Sequence, residues 1–178
     1  NVVERRVSDV LDGNVVYGKI RDHYVIIGYG SLVVSIIRNI YAKETNKGKR
    51  IIILTSQNVR ESRVNLFAQL PSEWEKYIHF YCGNIESKEH IANLNVDKAV
   101  EIYVLGENEE SGRDSKNLEC VRQIADLRSK CTDIITVNVQ FDKLTSYSLI
   151  QKLSLPKEYI APEGNMSIYF RPFNHYEN

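Results

Sequence analysis

His23-Tyr24-Val25-Ile26-Ile27-Gly28-Tyr29-Gly30-Ser31-Leu32-Val33 is the stretch on which the reading of this chain turns. Tyr24 to Ile27 is a short run rich in β-branched residues, closed by Gly28, with no polar side to offer to water. Directly after it, Leu32, Val33, Ile36, Ile37, Ile40 and Tyr41 recur at helical spacing. A buried strand that turns through Gly-x-Gly into an amphipathic helix is the opening unit of a β-α repeat.

The same alternation continues outward from that unit. Lys43 to Lys49 is polar and ends the first helix, Ile51 to Leu54 reads as a second strand, and Val59 to Leu70 as a helix that Pro71 breaks. Ile78 to Tyr81 predicts a third strand ended by Gly83, and Ser87 caps a short helix through Leu94. Ile102 to Leu105 is a fourth strand followed by Gly106. Ser111 with Asp114 has capping-box spacing ahead of Leu118, Val121, Ile124 and Ala125. Ile134 to Val139 is the fifth strand, and Leu144, Tyr147, Ile150 and Leu153 mark a last amphipathic helix. Strands built from continuous Val/Ile runs need cover on both faces. The prediction is therefore an α/β, Rossmann-like, doubly wound parallel sheet with helices on both faces.

Two flanks lie outside this repeat, which divides the chain into a lead-in at 1–22, the Rossmann-like domain at 23–155 and an extension at 156–178. The lead-in is charged, with Val10, Leu11, Val15, Val16 and Tyr17 interspersed. The extension sets Tyr159, Tyr169, Phe170, Phe173 and Tyr176 among Pro156, Pro162 and Pro172. Such an aromatic tail covers either a partner subunit or missing domain, or the domain's own core.

Bulk composition narrows the function classes. The 178 residues fit one domain, the hydrophobic fraction of 43% is that of a globular protein, and 23 basic side chains balance 23 acidic ones. A nucleic-acid partner is not expected without a basic excess or stripe, nor is attraction to a membrane surface without a polybasic run. Cys82, Cys120 and Cys131 lack CxxC spacing and suit reduced thiols. The charged start is unlike a secretory signal, and no stretch reaches the roughly 20 apolar residues that span a bilayer, so the chain itself is expected to be soluble.

Candidate site residues gather where strands hand over to helices. Gly28 permits the tight turn, Gly30 lets backbone approach a pyrophosphate aimed at the helix N-terminus, and Tyr29 and Ser31 complete the loop. Val33 replaces the third glycine of GxGxxG, which implies a somewhat displaced helix. At the end of the second strand Thr55 and Ser56 stand where an NAD site wants a carboxylate, and none follows until Glu61. Ser56 with Arg60 or Arg63 is an alternative seat for a 2′-phosphate, and the plainer reading puts both arginines on a solvated helix face. Gly106 and Glu107 overhang the crevice beyond the fourth strand. Glu107, Glu109, Glu110 and Asp114 are weak candidates for a divalent cation, against the reading of a solvated helix N-terminus. No catalytic set is legible: His23, His79, His90 and His175 make no HExxH, and neither GxSxG nor a Walker loop occurs. These residues read as a binding module, not an enzyme.

The motifs also resemble a family, the RCK (regulator of potassium conductance, or TrkA-N) domain, over Asp22 to Pro156. The resemblance rests on His23 to Gly30, on Phe80-Tyr81-Cys82-Gly83-Asn84, on Leu94 to Ala99, and on the polar loop Gly106 to Asp114. Phe80-Tyr81-x-Gly83-Asn84 followed by Ile91-Ala92-Asn93-Leu94 is similar to gating-ring domains of large-conductance calcium-activated potassium channels and of Castor- and Pollux-type channels. The resemblance implies a regulatory domain at the cytoplasmic face of a membrane, a homo-oligomer (dimer or gating ring) joined to a pore domain on the same or a partner chain. The lead-in would then arrive from the last pore helix. By position, Gly28, Gly30 and Ser31 would face a phosphate and Gly83-Asn84 would lie near an adenine. Val33, Thr55 and Asn84 depart from ordinary NAD binding, so the ligand, a nucleotide or another, stays open. Two other readings stand beside this one: an NADP-linked oxidoreductase fragment, and a structural dimerisation module with an empty crevice.

Overall fold

The computed structural model describes residues 1–107, 112–141 and 166–172. In chain order the elements are helix α1 (Val2–Asp12), strand β1 (Tyr24–Ile27), α2 (Leu32–Ala42), β2 (Ile51–Thr55), α3 (Val59–Phe67), β3 (Ile78–Cys82), α4 (Lys88–Ala92), β4 (Glu101–Val104), α5 (Arg113–Leu127), β5 (Ile135–Phe141) and β6 (Met166–Pro172). All strand pairs are parallel and their order is β3-β2-β1-β4-β5-β6. This is the doubly wound arrangement expected from the sequence, with its switch point between β1 and β4.

Alternation along each strand explains why the apolar runs are unbroken. Val25, Ile27, Ile52 and Leu54 point to one face, where they pack with Ile91 of α4 and with Cys120, Val121 and Ile124 of α5. Tyr24, Ile26, Ile51 and Ile53 point to the other, against Leu32, Val33, Ile36, Ile37 and Ile40 of α2 and Leu66 of α3. Both sets are essentially excluded from water, which is why these central strands are apolar on both faces.

Several boundaries differ from those read in the sequence. Helix α5 starts at Gly112, in the left-handed conformation (φ 78°), with no side-chain cap; the expected capping box therefore does not form the helix start, and Ser111 lies outside the described residues. A glycine placed there supplies the turn that a capping serine would otherwise supply. The expected helix over Leu144 to Leu153 also lies outside the described residues. Met166–Pro172 of the aromatic extension adds a sixth strand in register with the whole of β5, and the Met166 side chain is buried in the core. This part of the tail thus pairs with the domain's own sheet. Among the described residues β6 is an edge strand, and Pro172 is its last residue, a position compatible with the missing N–H.

The lead-in is structured and clamped along the opposite edge. Asn1 accepts a hydrogen bond from the Glu4 amide at the start of α1, and Gly13 ends the helix at φ 75°. The Gly13 carbonyl accepts from the Cys82 amide at 2.8 Å. Arg60 of α3 donates to the Asp12 carboxylate and to Ser8 Oγ, binding α1 to α3. Farther along, the Tyr17 ring lies 4.5 Å from the ring of His79 on β3, and Asn95 Nδ2 donates to the Gly18 and Ile20 carbonyls.

His79 carries a pH dependence. Burial, with the nearby Arg50 and Arg63 cations, lowers its pKa from 6.5 to about 4. The folded state therefore holds a neutral ring, and the unfolded chain binds a proton first as pH falls. Stability from this group is complete above pH 6.5 and is lost as pH falls from there toward 4. His79→Phe keeps the contact with Tyr17 but cannot titrate. Urea unfolding at pH 7.5 and pH 4.5 should show the wild type losing about 2 kcal/mol more than His79→Phe over that interval; equal losses would remove His79 from the account.

Candidate functional site

The site lies over the carboxyl ends of β1, β2 and β4, where two glycine turns meet. Gly28 has φ 97°, and a Cβ placed on it would stand 2.1 Å from the Gly106 carbonyl oxygen. Gly106 is itself at φ 76°, and a Cβ there would come within 2.6 Å of Arg113 and Asn117 of α5. Only paired glycines allow the β1 and β4 turns to approach so closely. The contact is fastened by the Leu105 and Gly106 amides, which both donate to the Ile27 carbonyl.

That approach carries the next residue, Glu107, over the end of β2. Its side chain is buried, 6% exposed, and its carboxylate is ringed by donors. Oε1 accepts from the Ser56 amide at 2.8 Å, from Thr55 Oγ1 at 3.0 Å and from Ser56 Oγ at 3.3 Å. Oε2 accepts from Gln57 Nε2 at 3.0 Å, from Thr55 Oγ1 at 3.0 Å and from the Tyr29 amide at 3.2 Å. Five donor groups from the first turn and the end of β2 thus converge on one anion, and donors in that number are what a buried carboxylate requires.

Beside this network the Tyr29 ring divides two cavities. One, of about 420 Å³, is lined by Tyr29, Gly30, Ser31, Val34, Gln57, Asn65 and Gln69, none of them charged. The other, of about 200 Å³, borders Tyr29, Gln57, Asn58, Glu61, Ser62 and Asn65. Tyr29 OH reaches the Ser62 carbonyl and Asn65 Oδ1, both at 3.3 Å, so the ring is held to α3. Burial raises the pKa of that phenol, which stays a protonated donor. Ser31 is exposed at the start of α2, and its side chain caps nothing.

The predicted residues fall in four groups. Gly28, Tyr29, Thr55, Ser56, Gly106 and Glu107 come together in the network just described. Gly83 and Asn84 sit one strand farther out: a Cβ on Gly83 would meet His90 Nδ1 at 2.8 Å, and the Asn84 amide donates to that same nitrogen at 2.8 Å. The arginines are engaged elsewhere, Arg60 with Asp12 and Arg63 over the Phe67 ring at 5.0 Å, so Ser56 has neither as a neighbour for a 2′-phosphate. Of the cation candidates, Glu107 faces donors, Asp114 is in the first turn of α5, and Glu109 and Glu110 lie outside the described residues. Among the described residues no group of three or more His, Cys, Asp or Glu side chains could hold a metal ion.

Sequence reasoning sought a carboxylate at the end of β2 and found Thr55 and Ser56. The carboxylate is present, but it arrives from the end of β4. In the order β2-β1-β4 those two ends flank β1, and that adjacency was the available signal. Gln57, Asn65 and Gln69 were not anticipated; they precede, lie within and follow α3, and no motif records that they line one crevice.

The strand order and the glycine turn at the switch point define a Rossmann-type α/β domain. Comparison with family models matches residues 19–136 to the calcium-activated potassium channel slowpoke-like RCK domain. The chain belongs to that family. Among solved structures it is similar to the GsuK channel bound to NAD, at 18% identity over 85% of this chain and 23% of that one, with a TM-score of 0.53. The GsuK RCK domain aligns at 18% identity over 75% and 24% of the two chains (TM-score 0.49), and the human SLO3 gating ring at 15% over 83% and 24% (TM-score 0.47). The chain spans about a quarter of the length of each of these proteins. Comparison with curated proteins gave no match. No helix of the described residues is long and apolar enough to cross a membrane.

The geometry of the first turn sets a test. Gly28→Ala should destabilise the fold by about 3 kcal/mol, because the added methyl meets backbone at a positive φ. Gly18→Ala, where an added Cβ finds nothing within 4 Å, should stay within about 0.5 kcal/mol of wild type. Denaturant midpoints measure both, and equal midpoints for the two variants would contradict the Gly28–Gly106 contact.

Proposed function

We propose that this chain is the ligand-sensing regulatory domain of a potassium or other cation channel or transport system. It works as one member of a homo-oligomeric dimer or gating ring at the cytoplasmic face of a membrane, joined to a pore domain on the same or a partner chain. The observation that carries this reading is the family match over residues 19–136, laid on a sheet whose switch point holds a crevice lined by hydrogen-bonding groups. The proposed ligand-facing residues are Gly28, Tyr29, Gly30 and Ser31 of the first turn and Thr55, Ser56 and Gln57 at the end of β2. Gly106, Glu107 and the more distant Gly83 and Asn84 complete the set.

A domain of this kind regulates without transforming its ligand. A ligand shifts an equilibrium between two arrangements only by its difference in affinity for them. The crevice wall is well placed to pass on such a bias. α3 borders both cavities through Asn65, and the smaller one also through Glu61 and Ser62, and it carries Arg60, which holds Asp12 of α1. A displacement of α3 on ligand binding would act on the lead-in, the segment this reading places between the domain and the pore.

Current recordings from the native full-length protein test the reading. Gln57→Ala and Asn65→Ala should move the midpoint of channel activation several-fold, the change expected of a coupling of about 1–3 kcal/mol. A native protein with no membrane-spanning segment and no membrane protein among its stable partners would overturn it.

A further inference from the structure

In the Rossmann arrangement the path of a dinucleotide runs over the first β-α turn, where amides take the pyrophosphate, to the end of the second strand, where ribose hydroxyls are held. In this chain the donors at both ends of that path are already engaged by a single side chain. The Tyr29 amide, between the two glycines, and the Ser56 amide, Ser56 Oγ, Thr55 Oγ1 and Gln57 Nε2 beyond β2 all donate to Glu107. The carboxylate is buried, and a phosphate reaching the same donors would meet a like charge within hydrogen-bonding distance.

We propose that Glu107 is an intramolecular anion that occupies the phosphate path and so determines specificity. It bars phosphate-bearing ligands from the first turn and leaves the neighbouring, uncharged cavity lined by Ser31, Gln57, Asn65 and Gln69 to ligands without a phosphate there. This deepens the ligand-sensing reading and rests on it only for the claim that the crevice has a physiological ligand. The filled path itself is a property of the chain alone. Glu107 is held from both sides of the turn, through Gly106 against Gly28 and through the five donors, so it is fixed as a competitor at high effective concentration. Any phosphate must displace it, not merely bind beside it.

The test uses the purified 178-residue chain, with pyrophosphate and NADH as probes in isothermal titration calorimetry and ¹⁵N amide spectra for location. Glu107→Ala frees all five donors and removes the charge; Glu107→Gln keeps the side-chain length while removing the charge, and serves where the alanine variant fails to fold. The expected result is binding of pyrophosphate to a folded variant at least about 10-fold tighter than to wild type, with the Tyr29 and Ser56 amide resonances moving only in the variant. Wild-type binding of equal strength that moves the same two resonances would overturn the proposal. So would folded variants that bind neither probe, since the freed donors would then make no anion site. Each of these results leaves the current recordings unaffected, so the two readings fail separately.

Discussion

The contact between the backbones of Gly28 and Gly106 is the constraint from which the rest of the site follows. β1 and β4 are neighbours in the sheet, and each leaves it through a glycine with a positive φ. With no Cβ on either, the two turns nest, and the residue after Gly106 is delivered to the end of β2 instead of to solvent. A side chain on Gly28 would strike the Gly106 backbone, and one on Gly106 would strike Arg113 and Asn117 of α5, so neither turn could keep its place. Burial of Glu107, satisfaction of its carboxylate and closure of the path over the first turn all depend on that approach.

Electrostatics then selects what the crevice can hold. A Rossmann first turn offers backbone amides and the positive end of a helix, which suit an anion. Here the anion is covalently part of the chain. The arrangement resolves a difficulty visible in the residues alone: Thr55 and Ser56 are poor partners for ribose hydroxyls that a carboxylate normally holds, yet good donors to a carboxylate. They are complementary to Glu107, not to a sugar. The likeness to the NAD-bound GsuK channel is one of fold, at 18% identity, and the donors that fold presents are directed in this chain toward its own side chain.

The sheet was legible because burial on both faces leaves no freedom in composition: Tyr24 to Ile27 and Ile51 to Leu54 can hardly be anything but central strands. The glycine turn was legible for a similar reason, since Gly28 and Gly30 fall at the one point where backbone must be tight. What could not be read were contacts between segments far apart in sequence. Glu107 was noticed as an acid near the crevice, but its partners come from β1 and β2, 50 to 80 residues away, and only the strand order makes them neighbours. Arg60 looked free on a helix face because its partner Asp12 belongs to a flank with no repeat of its own. The start of α5 was misplaced because a serine at capping spacing and a glycine next to it, Ser111 and Gly112, both offer a helix start, and local pattern does not rank them.

The lead-in is fastened to the domain through both a strand and a helix. Its clamps differ in kind. The hydrogen bond from the Cys82 amide to the Gly13 carbonyl and the ring contact of Tyr17 with His79 tie it to β3, the edge strand beside β2. The ion pair of Asp12 with Arg60 ties it to α3, whose side chains also line the crevice. Sheet strands are held by ladders and by core on both faces, whereas α3 buries only Val59, Ser62 and Leu66. α1 thus joins the sheet edge to the helix that lines the crevice, so a shift of α3 on ligand binding would reach the lead-in.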